Sequence, residues 1–272
     1  LAVHPVSGEV LAAGNTQSTD LPCTTNSGGC SAAAQPGLAG PQNGFVARLN
    51  ASLTSLLQAT YLGGSSADEI AAVAVHPMSG EVLVAGTARS TNLPCTQGGG
   101  NCGVGAQPTN SWSPDGFVAR INANLTILRQ VTYLGGSFGE NIHALAIHPV
   151  NGQVLVAGET GSADFPCTTA IGRCGNGAQT TPNGLFDAFV ARLNPDLTAV
   201  LQATYFGGNQ GETIYALTVS PMTGEVLVAG STGSTNLPCT TAGGGCSDGA
   251  QPQRTLVGFQ DAFLARLSAD LA

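Results

Sequence analysis

Apolar positions in this 272-residue chain fall in short runs, broken by Gly, Pro, Ser, Thr and Asn, and the runs return in the same order four times. His4-Pro5, His76-Pro77, His148-Pro149 and Ser220-Pro221 mark the register, at a spacing of 72 residues. In each copy an apolar strand ends at that dipeptide. A turn closed by Gly8, Gly80, Gly152 or Gly224 follows, then a Val/Leu/Ala strand ending in Ala-Gly, then a loop that carries cysteines. After the loop comes a strand of the form Phe-Val-Ala-Arg-Leu-Asn (Phe45 to Asn50, Phe117 to Asn122, Phe189 to Asn194, and Phe263 to Ser268 in the last copy). The unit closes on a strand ending in Tyr-Leu-Gly-Gly or Tyr-Phe-Gly-Gly. Ile70 to Val75 and Val82 to Ala85 are nearly continuous apolar runs, which predicts strands buried on both faces. Phe117 to Asn122 alternates, and the strand around Gln130 to Tyr133 is mixed, which predicts half-exposed strands. No segment has convincing helical periodicity.

Four short antiparallel strands per unit, graded from buried to exposed, predict an all-β fold: a β-propeller-like array of four-stranded blades. The repeats read as 1–70, 71–142, 143–214 and 215–272 of a single domain, 1–272, with the last blade incomplete. A small closed ring, part of a larger ring and an open superhelical array all fit this count. The chain opens at Leu1 inside a strand pattern, without an initiating Met or leader, as a processed chain or a window of a longer one would.

The strings Asp-Ala-Phe-Val-Ala-Arg-Leu-Asn (187–194), Ala-Thr-Tyr-Leu-Gly-Gly (59–64) and Ser-Thr-Asp-Leu-Pro (18–22) resemble the SBBP family of bacterial β-propeller repeats along the whole chain. The resemblance implies a propeller fold in a module of a secreted or surface protein, and little about activity. The chain departs from that pattern in the cysteine-bearing insert of each unit.

Composition narrows the function classes. Charged residues make up 9% of the chain, against roughly 25% in an ordinary soluble domain, while Gly reaches 38 residues. Every basic residue is Arg, and the net charge of −8 opposes nucleic-acid binding through phosphate neutralisation. No apolar run reaches the roughly 18 residues of a membrane-spanning helix, so membrane insertion by a helix is not expected. A surface so poor in charge must be covered by glycans or by neighbouring subunits, or rest on neutral polar groups.

The cysteines pair by spacing as Cys23/Cys30, Cys95/Cys102, Cys167/Cys174 and Cys239/Cys246, which predicts four short disulfide loops and an oxidising, extracellular or cell-surface setting. Six residues between partners is wider than the spacing structural zinc prefers. His4, His76 and His148 are expected to serve their turns rather than ligate metal, and His143 to be unpaired. Asp68, Glu69, Glu140 and Glu212, after the Gly-Gly turns, are expected to be solvated, since the loops lack the dense oxygen ligands of a calcium site. Arg48, Arg120, Arg192 and Arg266 are expected to pair with carboxylates or strand-edge carbonyls. Asn50 and Asn124 head glycosylation acceptor sequences. No cofactor motif, nucleophile elbow or metalloprotease signature occurs, and the polar positions repeat with the fold, so a non-enzymatic role is expected. Near-identical units and an unfinished blade suggest an extracellular structural protein that assembles with copies of itself, by strand addition at the incomplete blade. The alternative is a surface adhesin or carbohydrate- or protein-binding module, for which Trp112 and four Tyr offer few stacking platforms.

Overall fold

The computed structural model describes residues 1–24, 30–94, 104–111, 114–167, 176–238 and 258–272. Among them every regular element is a strand. Sheet one holds β1 (Ala2–Val3), β2 (Val10–Thr16), β3 (Asn43–Leu49) and β4 (Leu56–Leu62). Sheet two holds β5 (Asp68–Val75), β6 (Val82–Ala88), β7 (Asp115–Ile121) and β8 (Leu128–Leu134). Sheet three holds β9 (Glu140–Ile147), β10 (Val154–Thr160), β11 (Asp187–Leu193) and β12 (Val200–Phe206). Sheet four has three strands, β13 (Glu212–Val219), β14 (Val226–Thr232) and β15 (Asp261–Leu267). Each sheet is an antiparallel meander in chain order, the arrangement that short turns between consecutive strands impose.

The first hairpin of each unit is closed by a glycine at positive φ, from 68° to 73° at Gly8, Gly80, Gly152 and Gly224, a conformation open to glycine without steric cost. The turn that follows each third strand uses leucine instead: Leu53, Leu125, Leu197 and Leu271 sit at φ between 57° and 63°. Leu125, Leu197 and Leu271 are fully buried, so burial offsets an αL cost of about 1–2 kcal/mol.

The sheets stack face to face, and the period-two alternation of the second strand shows how. Val82 and Val84 of β6 enter a core shared with Leu11, Val46 and Leu62 of sheet one. Leu83 and Ala85 point the other way, into a core shared with Val154, Val156 and Phe189 of sheet three. A third core joins Leu155, Ala157, Val190 and Phe206 to Val226, Val228 and Leu267 of sheet four. The extended packing therefore runs sheet one to two to three to four, and among the described residues none joins sheet four to sheet one.

This stacking corrects the expected gradient. β7 and β11, read as half-exposed, are buried along nearly their whole length, and β8 and β12 are almost as covered. β5, read as the most buried, is only partly covered after its first turn of residues. Its small side chains are needed because β5 packs beside β2 and β9, and β9 beside β13, so the first strands crowd one another without closing over. Val118 alternates away from Phe117 as the sequence requires, but the face it points to is the next sheet and not water.

Candidate assembly interface and buried junctions

Sheets two and three are covered on both faces, whereas among the described residues sheets one and four each leave one apolar face open. On sheet four, Leu227 and Leu264 are 45% and 87% exposed, while their equivalents in sheet three, Leu155 and Val190, are 1% and 0%. Tyr215 is exposed on the same sheet. On sheet one the exposed residues are Leu1, Val3 and Leu53, and the buried equivalents of Leu53 are Leu125 and Leu197. Among the described residues β15 pairs with β14, while β3, β7 and β11 are each paired on both sides.

Between neighbouring sheets lie polar junctions the sequence reading missed. Asp68, Glu140 and Glu212 were expected in solvated turns; they are fully or almost fully buried. Asp68 accepts hydrogen bonds from the Gly64 amide (2.7 Å), the Ser90 hydroxyl (2.7 Å) and the Arg89 and Ser90 amides (3.0 Å each). Glu140 accepts from the Gly136 amide (3.0 Å) and the Thr160 and Ser162 hydroxyls (2.6 and 2.5 Å). Glu212 repeats this with the Gly208 amide (2.8 Å) and Thr232 (2.6 Å). Burial is tolerated because these donors replace water. Glu69, beside Asp68, stays outside and pairs loosely with Arg89 at 4.0 Å. The signal in the sequence was an acid four residues after the second glycine of each Gly-Gly, with Ser or Thr on a fixed offset.

The third strand supplies a second buried group to each junction: Asn43, Asp115 and Asp187. Gln107 and Ser111 donate to Asp115 (2.9 Å from Gln107, 2.7 Å from the Ser111 hydroxyl), and Gln179, Asn183 and Gly184 donate to Asp187. Desolvation outweighs these bonds and pushes Asp115 up to about 6 and Glu140 to about 7. Asp187 is raised for the same reason.

Each buried tyrosine ties the last strand to the segment preceding the cysteine loop. Tyr61 donates to the Ser18 carbonyl and accepts from the Leu21 amide. Tyr133 does so with Ser90 and Leu93, and Tyr205 with Ser162 and Phe165. Burial pushes the Tyr133 and Tyr205 hydroxyls up to about 12.

Cys23 and Cys30 form a disulfide, packed with Ala33, Ala59 and Tyr61. Cys167 is buried and disulfide-bonded, and no described cysteine is free. Cys95, Cys102, Cys174, Cys239 and Cys246 lie outside the described residues, as does Trp112. Asn50 uses its amide on Thr54 (2.9 Å) and its carbonyl oxygen on the Thr54 and Ser55 amides, capping the turn. Asn124 is exposed and accepts from Arg48 Nη1 (3.2 Å).

The histidines before Pro serve their turns: His4 Nδ1 accepts from the Val6 and Ser7 amides (3.2 Å each), and His76 from Ser79. Ser220 does the same for Thr223. His143 is not unpaired. It lies 4.0 Å from Glu159 and 5.6 Å, ring to ring, from Tyr215. With hydrogen bonds from Thr213 and Asn141, it holds the Glu159 carboxyl down at about 2. Of the arginines, Arg48 and Arg192 donate to the Ala123 and Ala269 carbonyls of the following sheet. Arg120 reaches the Pro195 carbonyl and pairs with Glu81 and Asp196, and Arg266 lies 3.7 Å from Glu225.

Neither a protein-family model nor a curated protein matches the chain. Among the described residues no group of three His, Cys, Asp or Glu is placed to hold a metal ion, and no helix is long and apolar enough to cross a membrane. A cleft of about 300 Å³ between sheets three and four gathers His148, Gln153, Arg192 and Thr223 at one rim. The described geometry organises inter-sheet contact, with most of its buried polar groups bonded to one another and only the Arg48 and Arg192 Nε atoms buried without a hydrogen-bond partner among the described residues.

Proposed function

We propose that this is an extracellular structural protein whose units are β-propeller-like blades of the SBBP type, and that it assembles head to tail with copies of itself. The observation that carries this reading is the sheet-to-sheet packing repeated through the chain, with one apolar face of sheet one and one of sheet four left uncovered among the described residues. Leu227 and Leu264 on sheet four stand where Leu155 and Val190 of sheet three receive the next sheet. The open face of sheet one is the kind that sheet four itself turns toward sheet three. A second copy placed by the same step continues the packing already present three times within the chain. Such a contact joins two different surfaces, so it builds an open polymer unless the rotation closes a ring. The buried disulfide, and the absence of a membrane-crossing helix among the described residues, agree with an extracellular setting.

The test is sedimentation of non-reduced chain over a concentration series, beside a Leu264→Arg variant. Leu264 is 87% exposed, so the substitution leaves the fold intact while placing a charge in the contact. The proposal expects concentration-dependent polymers from the parent and at least a tenfold higher threshold for the variant. A parent that stays monomeric at every concentration overturns it and returns attention to a binding role.

A further inference from the structure

Two of the buried junctions place one carboxylate from each of two successive sheets against the same glycine. A methyl group placed on Gly135 would collide with Glu140 Oε2 and lie 2.7 Å from Asp115 Oδ1. One placed on Gly207 would lie 2.6 Å from Asp187 Oδ2 and 2.7 Å from Glu212 Oε2. In each pair the carboxylate oxygens therefore stand within about 5 Å of each other, the range in which like charges disfavour joint ionisation. All four side chains are at most 1% exposed. The first junction differs: Asn43 occupies the place of Asp115 and Asp187, and its amide nitrogen donates to the Gly64 carbonyl at 3.3 Å. That junction has one acid, Asp68, and a neutral partner.

We propose that Asp115–Glu140 is a proton-operated clasp between sheets two and three, closed while the pair retains a proton and loosened when both acids ionise, and that Asp187, set against Glu212 at the next junction, acts in the same sense. Among the described residues no cation pairs with these acids. Asp115 acts on Glu140, Tyr133 feels both Asp115 and Asp68, and Tyr205 feels Glu140, Asp164 and Asp187. The second pair adds Asp187 and Glu212 to each other's field, with Tyr205 beside Asp187. Among the described residues no ion pair includes any of the four acids, and the Arg89 side chain turns outward to Glu69. Neighbouring tyrosines cannot help, since their hydroxyls keep their protons to about 12.

The sign follows from the direction of the shifts. Desolvation raises Asp115 to about 6 and Glu140 to about 7, so the folded chain binds these protons more tightly than the unfolded chain does. Their stabilisation is complete below about pH 4, where the unfolded carboxyls also protonate, and is lost as pH rises through 6 and 7. Each retained proton is worth up to about a tenfold change in the unfolding constant per pH unit inside that window.

The experiment is urea unfolding of the non-reduced chain from pH 5 to pH 9, beside Asp115→Asn/Asp187→Asn, which gives the second and third junctions the group that the first already carries. The parent midpoint is expected to fall between pH 5 and pH 8, and the double variant to lose most of that fall and to be the more stable protein at pH 8. A parent midpoint that is flat across the window, or a variant that falls as steeply as the parent, overturns the proposal. Difference infrared spectroscopy reads the parent alone: a protonated carboxylic C=O band persisting at pH 6 supports the clasp, and complete loss of that band by pH 5 removes it.

Discussion

At the scale of single residues, position in the stack decides what a side chain contributes. Leu53 and Leu197 occupy equivalent turns with φ of 58° and 59°, yet Leu53 is 60% exposed and Leu197 fully buried. Both carry the cost of a left-handed backbone, and only Leu197 recovers it by burial. Leu197→Gly is therefore expected to destabilise the chain by about 2–4 kcal/mol, since it empties a buried leucine site. Leu53→Gly is expected to leave stability unchanged or raise it by up to about 1 kcal/mol, by relieving the strained backbone. Thermal unfolding of the two variants at a concentration too low for association reads the difference. Equal losses would mean that the sheet-to-sheet core at Leu197 contributes nothing special.

The Leu-at-turn device was invisible in the sequence because leucine is an unlikely residue for positive φ. The buried acids were hidden by a related rule. An isolated carboxylate after Gly-Gly ordinarily stays hydrated, and only the folded turn shows that Gly136 NH, Thr160 and Ser162 converge on Glu140. His143 escaped for want of a partner nearby in sequence: Glu159 reaches it from the next strand of its own sheet.

At the scale of elements, strand identity and order were legible. The 72-residue period, the Ala-Gly and Asp-Ala-Phe strings and the turn glycines place every second, third and fourth strand. Which strands would be covered was not legible. Alternation reports that two faces differ, while β7 has Phe117, Ala119 and Ile121 against one neighbour and Val118 against the other, with Arg120 reaching out to Glu81 and Asp196. Apolar alternation with one arginine looks half-exposed until a second sheet is laid on it. The cysteine loop is an element whose role is local. The disulfide closes seven residues of separation and packs on Ala59 and Tyr61 of β4. Cys23→Ala/Cys30→Ala is expected to cost about 2.5 kcal/mol by the loop-entropy argument. Hydrogen exchange should show the loss concentrated at β4 and the 30–35 segment. Protection lost uniformly across all four sheets would contradict a local role.

At the scale of the whole molecule, the four sheets form a stack in which each interface repeats the last. Stability in such an array is close to a sum of unit and neighbour terms, and end units have the most to gain from a further neighbour. The Asn43 junction gives the stack a direction as well. The first junction is neutral on one side and the second carries Asp115 and Glu140, so rising pH weakens the sheet-two-to-three contact before the sheet-one-to-two contact. The low charge of the chain fits a surface largely spent on neighbours rather than on solvent. The measurement that tests this account most directly is electron microscopy of native, non-reduced chain above its association threshold. Head-to-tail stacking predicts regular filaments or rings whose subunit repeat spans four sheets, and whose formation Leu264→Arg suppresses. Discrete single particles with the sheet-four face bare and solvated would contradict it.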